Sequence, residues 1–216
     1  MGIVTVDVSM SLDGFIAGPN DSQENPIGDN GERIHEWVFD LASWRERQGL
    51  DGGASNRDSK IVAESFENVE AAVMGRRMFD NDDGPWGDDP FAGHWGDDPP
   101  FGIPVFVLTH HTREPLEMDN GTTFHFVTSS IERALERAKQ AAGNGDVEIV
   151  GGANVIQQFV EAGHVDEIQI HISPVLLGGG IRLFDSLESA PIDLNRTSAV
   201  ASPDVTHLRF EVIPQK

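Results

Sequence analysis

Apolar and polar residues alternate at the start of the chain, in "IVTVDVS" (residues 3–9). Period two predicts a first strand there. A turn-rich loop, "LDGFIAGPN", follows. The period then lengthens. In "GERIHEWVFDLASWRERQ" (31–48), Ile34, Trp37, Val38, Leu41 and Trp44 recur at spacings of three and four, which predicts one amphipathic helix. Residues 57–67 predict a second helix. "AAVMG" predicts a short buried strand, with "RRMFD" opening a helix behind it.

Residues 80–102, "DNDDGPWGDDPFAGHWGDDPPFG", have neither period and are dense in Asp, Gly and Pro. They read as one long loop within a single domain spanning 1–216. The aromatics Trp86, Phe91, Trp95 and Phe101 give that loop anchors. A structureless stretch of this length is usually functional or mobile. "PVFVLTH" and "TTFHFVT" are strands. "SSIERALERAKQAAG" is a helix with Ser129 or Ser130 as N-cap. "VEIVGG" is a strand, 153–162 a helix, "DEIQIHISPVLLGGG" a strand ending in a glycine turn, and "ASPDVTHLRFEVI" the last strand. Strand and helix alternate up to residue 162, and strands follow one another thereafter. That order predicts an α/β fold with a mostly parallel central sheet and an antiparallel C-terminal end.

Composition narrows the function classes. The net charge is −21, from 36 acidic and 15 basic residues, and only Lys60, Lys139 and Lys216 are lysines. Such a surface repels nucleic acid and anionic lipid, so neither is an expected partner. A phosphate site here has to be built locally, from backbone N–H groups and a few arginines. The chain has no cysteine. That excludes disulfides, zinc–thiolate sites and thiol catalysis. No apolar run approaches the roughly eighteen residues of a membrane span, and no signal peptide is visible, so a cytoplasmic protein is expected. The acidic run 80–89 lacks the register of a calcium-binding EF-hand loop, and no metal is expected.

Three strand ends carry candidate chemistry. Gly151 and Gly152 lie where a strand passes into a helix, and in open α/β sheets ligands sit beyond such carboxyl ends. Glycine lets a pyrophosphate approach the backbone, and the helix N-terminus offers unpaired N–H donors. The spacing is not the GxGxxG fingerprint, and a tight turn alone also explains two glycines. Gly75 ends a second strand and is followed by Arg76 and Arg77, either phosphate ligands or partners of Asp80 and Asp82. Thr109, His110 and His111 end a third, either as ligand contacts or as ordinary strand-end polar residues.

"VMGRRMF", "PVFVLTHH" and "VEIVGGANVIQQF", in that order, resemble the strand ends of the dihydrofolate-reductase fold. With "VDVSMSLDGFIAG" and "VDEIQIHISPVLLGGGIRLF", the chain is most similar to the branch containing the reductase domain of the bacterial riboflavin-biosynthesis deaminase–reductase. The resemblance implies an NADPH-dependent oxidoreductase acting on a pterin-, pyrimidine- or flavin-like heterocycle. The nearest family reaction is reduction of 5-amino-6-(5-phosphoribosylamino)uracil. It also implies a homodimer, and the missing cysteines leave no deaminase zinc domain, so a stand-alone reductase is expected. Gly75 and Arg76 would hold the adenosine phosphates, with Arg76 or Arg77 on the 2′-phosphate. Thr109 and His110 would complete that pocket. Gly151, Gly152, Ala153, Asn154 and Val155 would cradle the pyrophosphate and nicotinamide side, and Ile16 and Ala17 would cover the nicotinamide. Met78 stands where the family often has Thr.

On the substrate side, "FDLASWRER" aligns Asp40 with the family carboxylate that holds the heterocycle, although an Asp on a helix surface beside Arg45 or Arg47 reads equally well. His171 falls near a pocket-facing position, or is a core histidine. Asp13 contacts substrate or caps a turn, and Trp37 is a further substrate contact. Two alternatives share the fold: a nucleotide-binding protein without turnover, and a deazaflavin-dependent reductase.

Overall fold

The computed structural model describes residues 2–88, 93–185, 187 and 191–214. Among these, β1 (Val4–Ser11) and the short β2 (Phe15–Ala17) open the chain. A single 3-10 turn (Gly31–Ile34), α1 (Ala42–Arg47) and α2 (Arg57–Phe66) follow. Then come β3 (Val69–Gly75), α3 (Arg76–Asp80), β4 (Pro104–Leu108), β5 (Leu116–Glu117), β6 (Thr123–Val127) and α4 (Ile131–Ala142). The chain ends with β7 (Asp146–Gly151), α5 (Ala153–Glu161), β8 (Glu167–Ser173), β9 (Ile181–Arg182), β10 (Leu194–Ala201) and β11 (Thr206–Val212).

Nine strands form one sheet in the order β10-β11-β8-β1-β7-β3-β4-β6-β5. The six from β8 to β6 run parallel. β11 is antiparallel to both β8 and β10, which is the expected antiparallel C-terminal end, and two-residue β5 is antiparallel at the far edge. No helix among the described residues is long and apolar enough to cross a membrane.

The alternation in the strands explains the packing. Val4 and Val6 of β1, Val147 and Ile149 of β7, and Ile168 and Ile170 of β8 point to one face. There they join Ala134, Leu135 and Ala138 of α4 and Ile156, Phe159 and Val160 of α5 in the main core. Each large side chain so buried contributes ~1.5–3 kcal/mol. α4 starts as expected, with the Ser130 hydroxyl accepting from the Arg133 N–H.

The opposite face is divided. Over β3, β4 and β6 it is apolar, with Ala72, Met74, Val105, Val107 and Phe124 packed on Phe79. Over β1, β7 and β8 it is polar yet buried, with Ser9, Ser11, Glu148, Gln169, His171 and Ser173 all covered. The cover comes from the segment after β2. The Trp37 indole N–H donates to Ser9 Oγ at 3.1 Å, and the Ser173 hydroxyl donates to the Ile34 carbonyl at 2.7 Å.

Besides the short strands β2, β5 and β9, which the sequence reading did not include, two longer stretches differ from it. Residues 31–48 are not one helix. Leu41 is extended (φ −76°, ψ 138°) and forms a bridge with Ala54. The Ala54 N–H bonds the Asp40 carbonyl at 2.7 Å, and the Ala42 N–H bonds the Ala54 carbonyl at 3.1 Å. These bonds take the place of helical ones at the break. β10 carries no readable period because seven of its eight residues are not buried and only Val200 is. The loop after α3 is anchored as its aromatics suggest: Trp86 packs edge-on to Phe79 and Phe126, and Trp95 to Phe101. Phe91 lies outside the described residues.

Candidate active site

β7, β3 and β4 are neighbours in the sheet, so their carboxyl ends share one edge. A wide cavity of about 1260 Å³ lies beyond them, lined by Gly75, Arg76, Arg77, Thr109, His110 and Gly152 through Val155. It joins a narrower cavity of about 290 Å³ over the polar half of the sheet. Asp21, Arg77, Met78, Gly152, Ala153 and Ile181 line both, and Ile16 and Ala17 line the narrow one beside them. The three strand-end segments singled out in the sequence thus face one space.

The glycines have separable reasons. A Cβ on Gly75 would sit 2.8 Å from Val155 Cγ2, so Gly75 lets β3 end against α5. Gly151 has φ +133°, a conformation that favours glycine, and its Cβ would meet Met78 Sδ at 3.1 Å. The Gly151–Gly152 peptide is cis. A Cβ on Gly152 would meet nothing within 4 Å, so this backbone lies open to a ligand. α5 begins at the next residue; the Val155 and Ile156 N–H groups turn back to the Gly152 carbonyl at 3.0 and 3.1 Å, which leaves those of Ala153 and Asn154 without helical partners. Gly152 and α5 therefore form an anion-accepting strand end.

Of the two readings the sequence left open for the arginines, Arg76 takes the one as partner of Asp80. Arg76 is buried and internally engaged: its Nε donates to Asp80 Oδ1 at 2.6 Å, and its guanidinium lies 3.1 Å from the Trp86 ring centroid. The i,i+4 spacing from Arg76 to Asp80 on α3 brings about this pairing, and it leaves Arg76 a structural ion pair. Arg77 stands at the junction of the two cavities, half-exposed, with Nη2 2.7 Å from Asp21 Oδ2. Thr109 is buried, its hydroxyl oxygen accepting from the His111 N–H at 3.2 Å, while His110 is exposed at the rim.

On the substrate side, Trp37 and His171 line the narrow cavity with Trp44, Phe66, Trp95 and Phe101. Asp40 does not. It is exposed, because the break at Leu41 turns it away from the floor. Asp13 also has another task. Its carboxylate accepts from Ser11 Oγ at 2.7 Å, from Leu177 N–H at 3.1 Å and from Gly178 N–H at 2.7 Å, tying the first loop to the glycine turn after β8.

Sequence reasoning missed five ionisable residues of the narrow cavity: Asp7, Asp21, His35, Arg47 and Glu148. Burial, reinforced by the Asp7 charge and opposed by Arg47, pushes Glu148 up to about 8. Burial alone would raise Asp7 as well. The His171 charge and hydrogen bond, helped by a Ser65 hydrogen bond and the Arg209 charge, outweigh it and hold Asp7 below the ordinary carboxylate value. Burial, with repulsion from His171, pushes His35 down to about 4. Burial lowers Arg47 too, and its Nη2 donates to the Pro100 carbonyl at 2.8 Å. One neutral and one ionised carboxylic group facing a single cavity can divide acid and anion roles between them. No local signal set Asp7 and Glu148 apart, because each takes a polar position flanked by apolar residues in its strand. Among the described residues no group of three or more His, Cys, Asp or Glu is arranged to hold a metal ion.

Fold and site together define a reductase domain of the dihydrofolate-reductase type. Residues 3–208 match the family model described as the RibD C-terminal domain, and the chain belongs to that family of reductases. The Bacillus subtilis protein YyaP is 26% identical over 188 residues, covering 84% of this chain and 79% of YyaP. Solved structures show the same fold at lower identity. A Thermotoga maritima diaminohydroxyphosphoribosylaminopyrimidine deaminase/5-amino-6-(5-phosphoribosylamino)uracil reductase superposes with a TM-score of 0.58 at 14% identity, over 98% of this chain and 57% of that one. Dihydrofolate reductase from Enterococcus faecalis, complexed with NADP(H), gives 0.53 at 13% identity, over 98% and 96%.

Proposed function

We propose that this chain reduces a flat heterocycle of pterin, pyrimidine or flavin type with a reduced nicotinamide dinucleotide, NADPH being the expected form. One observation carries the reading: the open backbone at Gly152 joins the wide strand-end cavity to an aromatic cavity floored by ionisable groups. The residues present fit the cofactor. Gly152 and the first turn of α5 would take the pyrophosphate, Thr109 and His110 the adenosine side, and Arg77 a 2′-phosphate once it leaves Asp21. Ile16, Ala17 and Ala153 would bound the nicotinamide. When bound, the cofactor supplies hydride. The chain's own residues orient the ring between Trp37 and Phe101, exclude water, and hold protons at Glu148 and at the Asp7–His171 pair. The nearest reaction is the one named for the Thermotoga enzyme. By family likeness the enzyme is a homodimer, which light scattering checks.

Trp37, Trp44 and Trp95 line the substrate cavity, so indole fluorescence reports its occupancy. Titration with NADPH, NADH and a deazaflavin side by side tests the reading. Saturable quenching by NADPH supports it. Quenching by the deazaflavin alone, or by none of the three with no heat in a calorimeter, overturns it.

A further inference from the structure

Four side chains form a line through the polar half of the sheet. Asp7 Oδ1 lies 2.7 Å from His171 Nε2. His171 Nδ1 lies 2.6 Å from His207 Nδ1, and His207 Nε2 lies 3.1 Å from Asp58 Oδ1. His171 on β8 and His207 on β11 are directly opposed in the antiparallel register. Both rings are buried, with Trp37 packed on them at 4.8 and 5.2 Å. Asp7 and His171 line the narrow cavity, whereas His207 and Asp58 do not.

Both ends of the line are fixed as acceptors. Arg209 Nε donates to Gln169 Oε1 at 2.7 Å, which turns the Gln169 amide so that Nε2 donates to Asp7 Oδ2 at 2.9 Å. At the other end Asp58 Oδ1 also takes the Ser202 hydroxyl. Ionised carboxylates only accept. Three contacts between four groups therefore need three protons on ring nitrogens, and two neutral imidazoles carry two. Asp58 accepts from His207 Nε2–H, which leaves His207 Nδ1 a lone pair. His171 Nδ1–H donates to that lone pair. The third proton then lies on His171 Nε2, against Asp7. Burial and His171 repulsion hold His207 down, in keeping with a neutral ring there. The other charged or titratable groups acting on Asp7 and His171 are Glu148, Glu167, Arg47, Arg209 and His35.

We propose that Asp58, His207, His171 and Asp7 hold one proton more than two neutral imidazoles carry, and that this proton is delivered to the bound heterocycle at Asp7. The inference rests on the reductase reading. Reduction of a ring C=N bond adds hydride to carbon, from the reduced nicotinamide, and a proton to nitrogen. His171 Nε2 releases its proton to Asp7, and Asp7 passes it to the ring nitrogen. His171 becomes neutral while keeping its Nδ1–H to His207, so no other bond in the line changes. Water entering after product release restores the proton. Asp58 and His207 touch no substrate; they are positioning residues that fix the tautomer of His171.

Nitrogen-15 NMR of the full chain, labelled at histidine, tests this without any substrate. Rings are assigned by single His→Gln substitutions. Near neutral pH, His171 should show both nitrogens protonated and His207 a neutral ring protonated at Nε2. Asp58→Ala should remove the double protonation of His171, which it does not touch, and Asp58→Glu should restore it. Two neutral rings in the wild type, or His171 signals unmoved by Asp58→Ala, overturn the proposal. The wild-type spectrum decides alone if the variant fails to fold. NADPH quenching on the same sample separates the two readings. Binding with an uncharged pair sinks only the proton line, and a charged pair without binding sinks the reductase reading and the delivery step with it, leaving only the stored proton.

Discussion

Glu148→Gln should stabilise the protein, and by an amount that grows with pH. Glu148 is buried on β7 beside Asp7, and its proton is held from the ordinary 4.5 up to about 8. Between those values the unfolded chain has lost this proton and the folded chain retains it. Folding then takes up a proton, so raising pH costs stability at ~1.4 kcal/mol per pH unit. The cost is absent below 4.5, reaches roughly 3 kcal/mol at pH 7 and levels off near ~5 kcal/mol above 8. Glutamine keeps the shape and cannot ionise. Asp7 behaves oppositely: its contribution is present above the ordinary carboxylate value and lost as pH falls through its depressed one. It is common to both proteins and cancels in their difference. Urea unfolding of wild type and variant, followed by circular dichroism at intervals from pH 4 to 9, measures that difference directly. Curves that stay parallel across the range would refute the neutral carboxyl, and with it the division of acid and anion roles between Glu148 and Asp7.

Other outcomes follow from the same geometry. Arg76→Ala leaves Asp80 buried without its partner and should cost ~3–5 kcal/mol in denaturant unfolding, marking Arg76 as structural. Arg77→Ala should reduce the preference for NADPH over NADH, and Asp21→Asn, by freeing the guanidinium, should increase it; parallel quenching titrations read both. Gly75→Ala forces a methyl to within 2.8 Å of Val155 Cγ2 and should lower stability by ~1–3 kcal/mol, seen as a fall in thermal midpoint.

The main core was legible because its residues obey one period at a time. β1 alternates, α4 has a stripe and a serine cap, and both formed where expected. Residues 31–48 kept a helical stripe but not a helix. Ile34, Val38 and Leu41 are still buried, and the Ala54 bridge supplies the backbone bonds instead. That long-range pairing leaves no local mark, and it is why Asp40 matched a local motif yet points away from the cavity. The glycine strand ends were readable because backbone approach demands glycine. The ionisable floor was not, because Asp7 and Glu148 in an alternating strand look like solvent-facing positions until a roof is known to cover them. For Arg76 the sequence offered both a phosphate and Asp80 as partners, and Asp80, one helical turn on, is the one it pairs with.

Along β1, β7 and β8, alternate side chains serve different masters. One row belongs to the oily interior under α4 and α5, while the next belongs to the wet chemistry beneath Trp37. Exchanges within one row leave the other undisturbed, so ligand choice is free to drift while the scaffold stays put. A one-residue slip would instead swap the two rows along a whole strand, stranding valines over the reacting ring and aspartate in the grease.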